Sequence, residues 1–251
     1  MPESTARNFP NPIRLIKLAY PIHRWSGLIL GVQLLFWILG GFIMALLPLE
    51  QVHGRHLAKA PKLATNAGSH SYSLDILLRQ LPDASHIELS YVDSQPTYLI
   101  TTPQGRQLFD AQSGEKKTAL NKETIKRLAQ EYYLKTAAIE EANLLDTPPH
   151  EASRVKGKVW QVNFDDAWNT RLYLDPLTGS LLNTRSTLWR IFDFVWMLHI
   201  MDYDTRNNIN NPLLILFSGA ATLFTLSGFI LLYGRFRPFK SRKRRIKKAT
   251  A

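Results

Sequence analysis

The chain has 251 residues, with 31 lysines and arginines against 20 aspartates and glutamates, a formal net charge of +11, and no cysteine. Without cysteine it has no disulfide, no cysteine-ligated iron–sulfur cluster, no thiol nucleophile and no C-x-x-C-H haem attachment. A basic balance is common in nucleic-acid-binding proteins, but the positions of these charges argue against that class, so no nucleic-acid partner is expected.

Two stretches contain no charged residue, 25–49 and 207–234. Each exceeds the roughly 20 mostly apolar residues that a helix needs to cross a bilayer core. We therefore predict transmembrane helices over residues 23–48 and 207–234, the second including its N-terminal cap. The segment between the stretches is polar and rich in turn residues, so it is predicted to form a water-exposed domain over residues 49–186.

The charge excess lies on the outer flanks of the two predicted spans. Nine basic residues and no acidic residue occur from Arg235 to the end, and residues 1–24 carry a net +3. Basic residues flank the cytoplasmic side of membrane helices. We therefore predict a cytoplasmic arm over residues 1–22, a basic cytoplasmic tail over 235–251 that attracts anionic lipid headgroups, and a central domain on the far side.

The central region contains two units with the same order of predicted elements. The first has a helix at 73–80 and strands at 87–91, 97–101 and 106–109; the second has a helix at 122–134 and strands at 139–144, 159–164 and 171–174. Each unit closes on a turn bounded by Asp and Gly, at 110–114 and 175–179. Alternating apolar residues favour half-buried antiparallel strands. The predicted fold class is α+β, with two helix-plus-antiparallel-meander repeats.

The segment 187–206 is predicted to form an amphipathic helix lying in the membrane interface before the second span. Its aromatic residues recur at spacings of three and four, which places them on one helical face together with a histidine. The members of this face are Trp189, Phe192, Trp196, His199 and Tyr203. The segment is short and charged for a third span, and a third crossing would place the basic tail on the wrong side.

Polar residues between this helix and the second span could suggest a cation loop, with Asp202, Asp204, Asn207 and Asn208 as ligands. Their spacing lacks the acidic complement and the glycine of a calcium loop. We interpret them as a helix exit followed by the N-cap of the second span, supplied by an asparagine before Pro212.

Three motifs carry a resemblance to a known family: H-R-W-S-G at 23–27, D-P-L-T-G at 175–179 and W-M-L-H-I-M-D-Y at 196–203. With these motifs the chain resembles the PepSY-associated transmembrane family over nearly its whole length. The resemblance implies a multi-pass protein of the bacterial inner membrane, with both termini cytoplasmic and the two repeats being PepSY-like units in the periplasm. Some larger members are fused to flavin reductase domains or resemble ferric-siderophore reductases that bind haem through histidines.

Histidines are the redox-cofactor candidates, and the resemblance implies haem b. His199 lies on the aromatic face, His56 and His53 follow the first span, and His23 opens that span on the cytoplasmic side. Bis-histidine ligation needs two imidazoles on opposite faces of one haem, so His199 could pair with His56 or His53. His23 would need a histidine from another subunit. The alternative is that these residues are interfacial anchors or solvate a helix end.

The remaining histidines lie in turn-like or polar surroundings and are predicted to be surface residues: His70, His86 and His150.

Several enzyme classes are unsupported, because the chain has no Ser-His-Asp order, phosphate loop, H-E-x-x-H or dinucleotide fingerprint. The leading hypothesis is a non-catalytic subunit or accessory of membrane electron transfer, haem-linked and iron-related, that works with a reductase. The rival is a periplasmic peptide-binding or peptidase-regulating module anchored by two spans. A structural assembly subunit is a third reading, and a homo-oligomer is compatible with each.

Overall fold

The computed structural model describes residues 12–60 and 70–236, so residues 1–11 of the predicted arm and 237–251 of the predicted tail lie outside the described part. The described helices are α1 Pro12–Leu46, α2 Leu49–Val52, α3 Leu74–Gln80, α4 Lys122–Tyr132, α5 Thr187–Ile200 and α6 Pro212–Phe236. The described strands are β1 His86–Val92, β2 Gln95–Thr102, β3 Gly105–Asp110, β4 Lys116–Lys117, β5 Ile139–Leu145, β6 Val159–Phe164, β7 Arg171–Leu174 and β8 Leu181–Arg185.

The chain divides into two compact units. Of the described residues, those up to residue 43 and from residue 195 onward form one, here called the helical unit, and those from 44 to 194 form the other, here called the sheet unit. The prediction of an α+β protein with two membrane helices flanking a sheet-rich domain is confirmed at this level.

The helical unit contains two helices that are long and apolar enough to cross a membrane, Ala19–Leu46 within α1 and Pro212–Phe236 forming α6. α1 begins at Pro12, so the second half of the predicted arm is helical. The Oδ1 atom of Asn211 accepts the backbone N–H of Leu214 at 2.9 Å, which makes Asn211 the N-cap that precedes Pro212.

α1 and α6 approach each other at a glycine. A Cβ added to Gly27 would lie 2.9 Å from the Phe224 ring, so the ring fits at this position because residue 27 has no side chain. Gly27 and Gly31 form a G-x-x-x-G pattern in the sequence, but an added Cβ at Gly31 would meet no atom within 4 Å. Only the first glycine of the pattern therefore serves the contact between these two helices.

The loop between α5 and α6 folds around Asp202. Its carboxylate accepts the Thr205 hydroxyl at 2.6 Å and the backbone N–H groups of Asn207 and Asn208 at 3.0 and 2.9 Å. The hydrogen bond from Thr205, followed by those from the backbone, lowers the pKa of Asp202. These donors support the interpretation as a helix exit, and the described residues contain no group of three or more potential metal ligands.

The sheet unit contains two four-stranded antiparallel sheets, ordered β1-β2-β3-β4 and β5-β6-β7-β8. Every pair of neighbouring strands is also consecutive in the chain, so neither sheet has a crossover. α3 precedes the first sheet and α4 the second. The closing strands β4 and β8 were not among the predicted elements.

The larger core lies between α4 and the second sheet. The buried residues of α4 follow a three- and four-residue spacing, Ile125, Leu128, Ala129 and Tyr132. They face buried residues of the sheet that include Val162, Leu172 and Leu174. Asn121 caps the start of α4 by accepting the backbone N–H of Thr124 at 2.9 Å. A smaller core joins α3 to the first sheet around Leu77 and Ile100.

The two Asp-to-Gly turns share one hydrogen-bonding pattern. In each, the Oδ1 atom of the aspartate, Asp110 or Asp175, accepts the backbone N–H groups two and three residues later. In each, the closing glycine donates its backbone N–H to the carbonyl of that aspartate. Gly114 and Gly179 have φ of +75° and +68°, a conformation that glycine adopts at little cost.

The second carboxylate oxygen distinguishes the two turns. In Asp110 it pairs with Lys117 at 2.9 Å, within the same sheet. In the buried Asp175 it pairs with Arg106 of β3, so this ion pair joins the second turn to the first sheet. Arg127 of α4 adds a further link by pairing with Asp93 at 2.6 Å, on the turn between β1 and β2.

We expect the turn that begins at Asp110 to make the stability of the sheet unit depend on pH. The hydrogen bond from Lys117, opposed by burial and aided by two backbone N–H groups, lowers the pKa of Asp110 from 3.8 to about 2. Because the pKa is lower in the folded state, this stabilisation is present above pH 4 and is lost as the pH falls toward 2. The free energy of unfolding of the wild type should therefore fall between pH 4 and pH 2, and in Asp110→Asn this fall should be smaller by about 1 kcal/mol.

Urea unfolding at the two pH values measures this difference. Asp83→Asn, at an exposed position, is the control and should leave the difference as in the wild type. Equal acid sensitivity of Asp110→Asn and wild type would contradict the role of the Asp110–Lys117 pair.

Candidate functional site

His23 is held between α1 and α6 by a defined set of contacts. Its Nδ1 atom lies 2.9 Å from Ser227 Oγ and 3.2 Å from the Phe224 carbonyl oxygen. The imidazole stacks on the Phe224 ring with centroids 4.3 Å apart and planes inclined by 2°. An added Cβ at Gly228 would come within 3.0 Å of the imidazole, so glycine at this position makes room for it.

These contacts assign the tautomer of His23. The Ser227 hydroxyl donates to the Phe224 carbonyl at 2.7 Å, so its oxygen accepts the hydrogen from His23 Nδ1. In the neutral imidazole the proton then resides on Nδ1, and Nε2 keeps its lone pair. Histidines that bind metals are commonly held in this way, with the non-ligating nitrogen donating to an oxygen. His23 is therefore a residue that could hold a haem.

His199 lies against the other part of α1. Added Cβ atoms at Gly40 and Gly41 would lie 3.8 Å from its Nδ1 and 3.9 Å from its Cε1, so two glycines face the imidazole. The Trp37 ring is next to it, with centroids 6.4 Å apart. Among the described residues, His199 Nδ1 and Trp37 Nε1 are both buried without a hydrogen-bond partner. His199 therefore has a packed environment but no oxygen that orients its imidazole.

His23 and His199 are separated along α1. His199 contacts α1 at Gly40. At a rise of about 1.5 Å per residue, Gly40 lies about 25 Å along the helix axis from residue 23. This separation prevents the two imidazoles from binding the same haem, as expected from the sequence. Each would belong to a distinct site.

His53 and His56 belong to the sheet unit and are exposed. Partial burial, followed by the nearby charges of Arg185 and Arg55, lowers the pKa of His53. His23, in contrast, is half-buried and stacks on the Phe224 ring. The pairing of His56 or His53 with His199 stays a prediction. The three histidines expected at the surface, His70, His86 and His150, are exposed.

A second polar centre, here called the Glu151 cluster, lies in the sheet unit. The Glu151 carboxylate accepts hydrogen bonds from Arg171 at 2.7 Å, the Tyr173 hydroxyl at 2.9 Å and Arg190 at 3.1 Å. Its backbone carbonyl accepts Arg185 Nε at 2.7 Å. Burial, followed by the charge of Glu151, raises the pKa of Tyr173. With its carboxylate occupied by donors, this cluster connects β7, β8 and α5 and has a structural role.

The sequence did not single out the partners of His23 or the Glu151 cluster. In the sequence, Ser227 and Gly228 stand out only as small residues of the second span. A histidine at the start of one span and a serine near the end of an antiparallel span nevertheless lie at the same depth in the membrane. Glu151 had no local signal, since its partners lie 20 to 39 residues away.

Two apolar helices on either side of a sheet-rich domain define a membrane protein with an α+β domain. The chain belongs to the family described as PepSY-associated TM region, whose model matches residues 20–250. This match confirms the resemblance seen in the sequence motifs. No curated protein and no solved structure matches the chain.

Proposed function

We propose that this chain is a non-catalytic accessory of membrane electron transfer in the bacterial inner membrane, with haem b held by its helical unit. The observation that carries the proposal is His23, whose Nδ1 donates to Ser227 and whose Nε2 is left with a lone pair. A haem bound there would supply one-electron transfer, which suits a redox partner such as an iron-related reductase.

The residues around His23 have distinct roles in this proposal. Ser227 fixes the tautomer and the rotation of the imidazole, and Phe224 covers one face of the imidazole and excludes water. Gly228 leaves the space that the imidazole occupies. His199, against Gly40 and Gly41, is the candidate ligand at a second site. Because the two imidazoles are far apart along α1, a second histidine for a haem held by His23 would come from another subunit.

The test is the absorption spectrum of the full chain, purified in mild detergent after expression with a haem precursor. We expect a Soret band in the wild type and a strong reduction of that band in His23→Ala. Ser227→Ala should keep the band but lose haem more readily on dilution, because hydrogen-bond partners of a metal-binding histidine typically contribute 10- to 100-fold in affinity. His86→Ala, at an exposed strand position, is the matched control. Absence of a Soret band in the wild type contradicts the proposal.

The predicted topology forms part of the proposal, with both termini in the cytoplasm and the two sheets, as PepSY-like units, in the periplasm. The support is the basic excess on the outer flanks of the spans. A reporter that is active only in the cytoplasm, fused after residue 251, should be active. Activity of a periplasmic reporter at that position would reverse the orientation.

The rival function, binding of a peptide or of a periplasmic peptidase, is favoured by one observation. β1 is a seven-residue strand at the edge of its sheet, with Leu89 exposed. Edge strands bind extended peptides through their free backbone groups. In that case Leu89→Lys should abolish capture of the partner, and His23→Ala should leave it intact.

A further inference from the structure

Gln33 is a polar residue in the middle of a membrane helix. It lies near the centre of the apolar segment Ala19–Leu46, with fourteen residues of that segment before it and thirteen after it. Its side chain is half-buried, and within the described residues its carboxamide makes no hydrogen bond. Among the described residues of one copy, the oxygen and the two N–H groups of this amide therefore have no partner.

An unpaired amide at this depth is costly. The hydrocarbon core is roughly 30 Å thick, so its centre is about 15 Å from either interface, beyond the reach of a glutamine side chain. Each unsatisfied polar group in lipid costs several kcal/mol, so polar residues in membrane helices usually bond to another helix. The face around Gln33 is open to such a helix, because Ile29 and Phe36, one turn before and after it, are 70% and 48% exposed.

We propose that Gln33 is the centre of an interface between two copies of this chain, formed by reciprocal hydrogen bonds between their Gln33 carboxamides. A carboxamide carries both a donor and an acceptor, so the same residue on two copies related by a two-fold axis satisfies itself. The occupant of the open face is therefore a second copy, with Ile29 and Phe36 packing on either side of the amide pair. This inference does not depend on haem binding.

A local alternative is a bond from Trp37 to Gln33 of the same helix. The two residues are four apart and share a face, and Trp37 Nε1 is buried without an acceptor. A change of the Gln33 rotamer would satisfy this N–H and the Gln33 oxygen, but would leave the Gln33 N–H groups unpaired. In that case Gln33 would affect the helix without affecting association.

The absence of cysteine from the chain permits a direct test in lipid vesicles that contain only this protein. A cysteine in place of Ile29 reports on the proposed face while Gln33 remains intact. Leu35→Cys is the matched control, because Leu35 is 61% exposed but lies about 200° around α1 from Gln33. The readout is the disulfide-linked dimer formed with an oxidant over a range of protein-to-lipid ratios.

We expect Ile29→Cys to give a dimer and Leu35→Cys to remain monomeric. Adding Gln33→Leu to Ile29→Cys should weaken association about tenfold, the effect of roughly 1.4 kcal/mol of hydrogen bonding. Gln33→Asn should retain most of the dimer. The proposal is overturned if Ile29→Cys does not cross-link, if both cysteines cross-link equally, or if Gln33→Leu leaves the dimer unchanged. Cross-linking of Ile29→Cys to a different protein instead of itself in native membranes would also overturn it.

Discussion

Glu151→Ala is expected to lower the free energy of unfolding of the sheet unit by about 2–3 kcal/mol. The substitution leaves Arg171 and Arg190 without their carboxylate and the buried Tyr173 hydroxyl without its closest acceptor. Removing one member of a buried charged network costs more than the network contributes, because its partners stay buried and unpaired. The Glu151 carboxylate is only 10% exposed, but both arginines are partly exposed. Because water can solvate the arginines, the expected loss of stability lies at the lower end of the range for broken buried ion pairs.

Urea unfolding of the full chain in mild detergent, followed by the circular dichroism of the strands, measures this loss. Glu140→Ala is the matched control, since Glu140 is exposed and should change the unfolding free energy by less than about 0.5 kcal/mol. Glu151→Gln keeps an acceptor for Tyr173 and should be intermediate. A Glu151→Ala protein as stable as Glu140→Ala would show that the cluster does not hold β7, β8 and α5 together.

Gly179→Ala is expected to destabilise the sheet unit by about 3 kcal/mol, combining backbone strain and overpacking. Gly179 has φ of +68°, which costs an alanine roughly 1–2 kcal/mol. An added Cβ would also overlap the Leu128 side chain, within α4, and lie 2.9 Å from Leu120, just before α4. These contacts are in the core, so the side chains have little room to move away.

Gly157→Ala separates the two contributions. Gly157 has φ of +81°, but an added Cβ there meets no atom within 4 Å. It should therefore show the backbone cost alone, about 1 kcal/mol. The same urea unfolding experiment measures both variants, and equal losses would mean that the contact of the second turn with α4 contributes nothing.

The spans and most of the strands followed from the sequence, because each rests on a local physical requirement. An uncharged apolar stretch long enough to cross a bilayer core, such as the one around Gln33, has few alternative interpretations besides a membrane helix. Alternating residues such as those from Val159 to Phe164 predict a half-buried strand without knowledge of its partner. The closing strand β8 was missed, since its residues Leu181–Arg185 do not alternate and lead directly into α5.

The environment of the candidate site could be predicted only in part. His23 and His199 were recognised by residue type, but their surroundings depend on contacts between distant positions. The Ser227 hydroxyl reaches His23 across 204 residues, and no local pattern encodes that distance. Two adjacent glycines in a membrane helix, Gly40 and Gly41, indicate close helix packing, but they do not indicate the imidazole that they face. The Glu151 cluster was missed for the same reason.

The ion pair between Arg106 and Asp175 has a consequence for the order of events during synthesis. The first sheet is built entirely from strands adjacent in the chain, and its last strand ends at Lys117, well before Asp175 leaves the ribosome. Domains generally fold from the N-terminus as they emerge. We therefore expect Arg106 to lie on a formed first sheet when the second turn forms, so that the Arg106–Asp175 pair joins the two halves of the sheet unit late in folding.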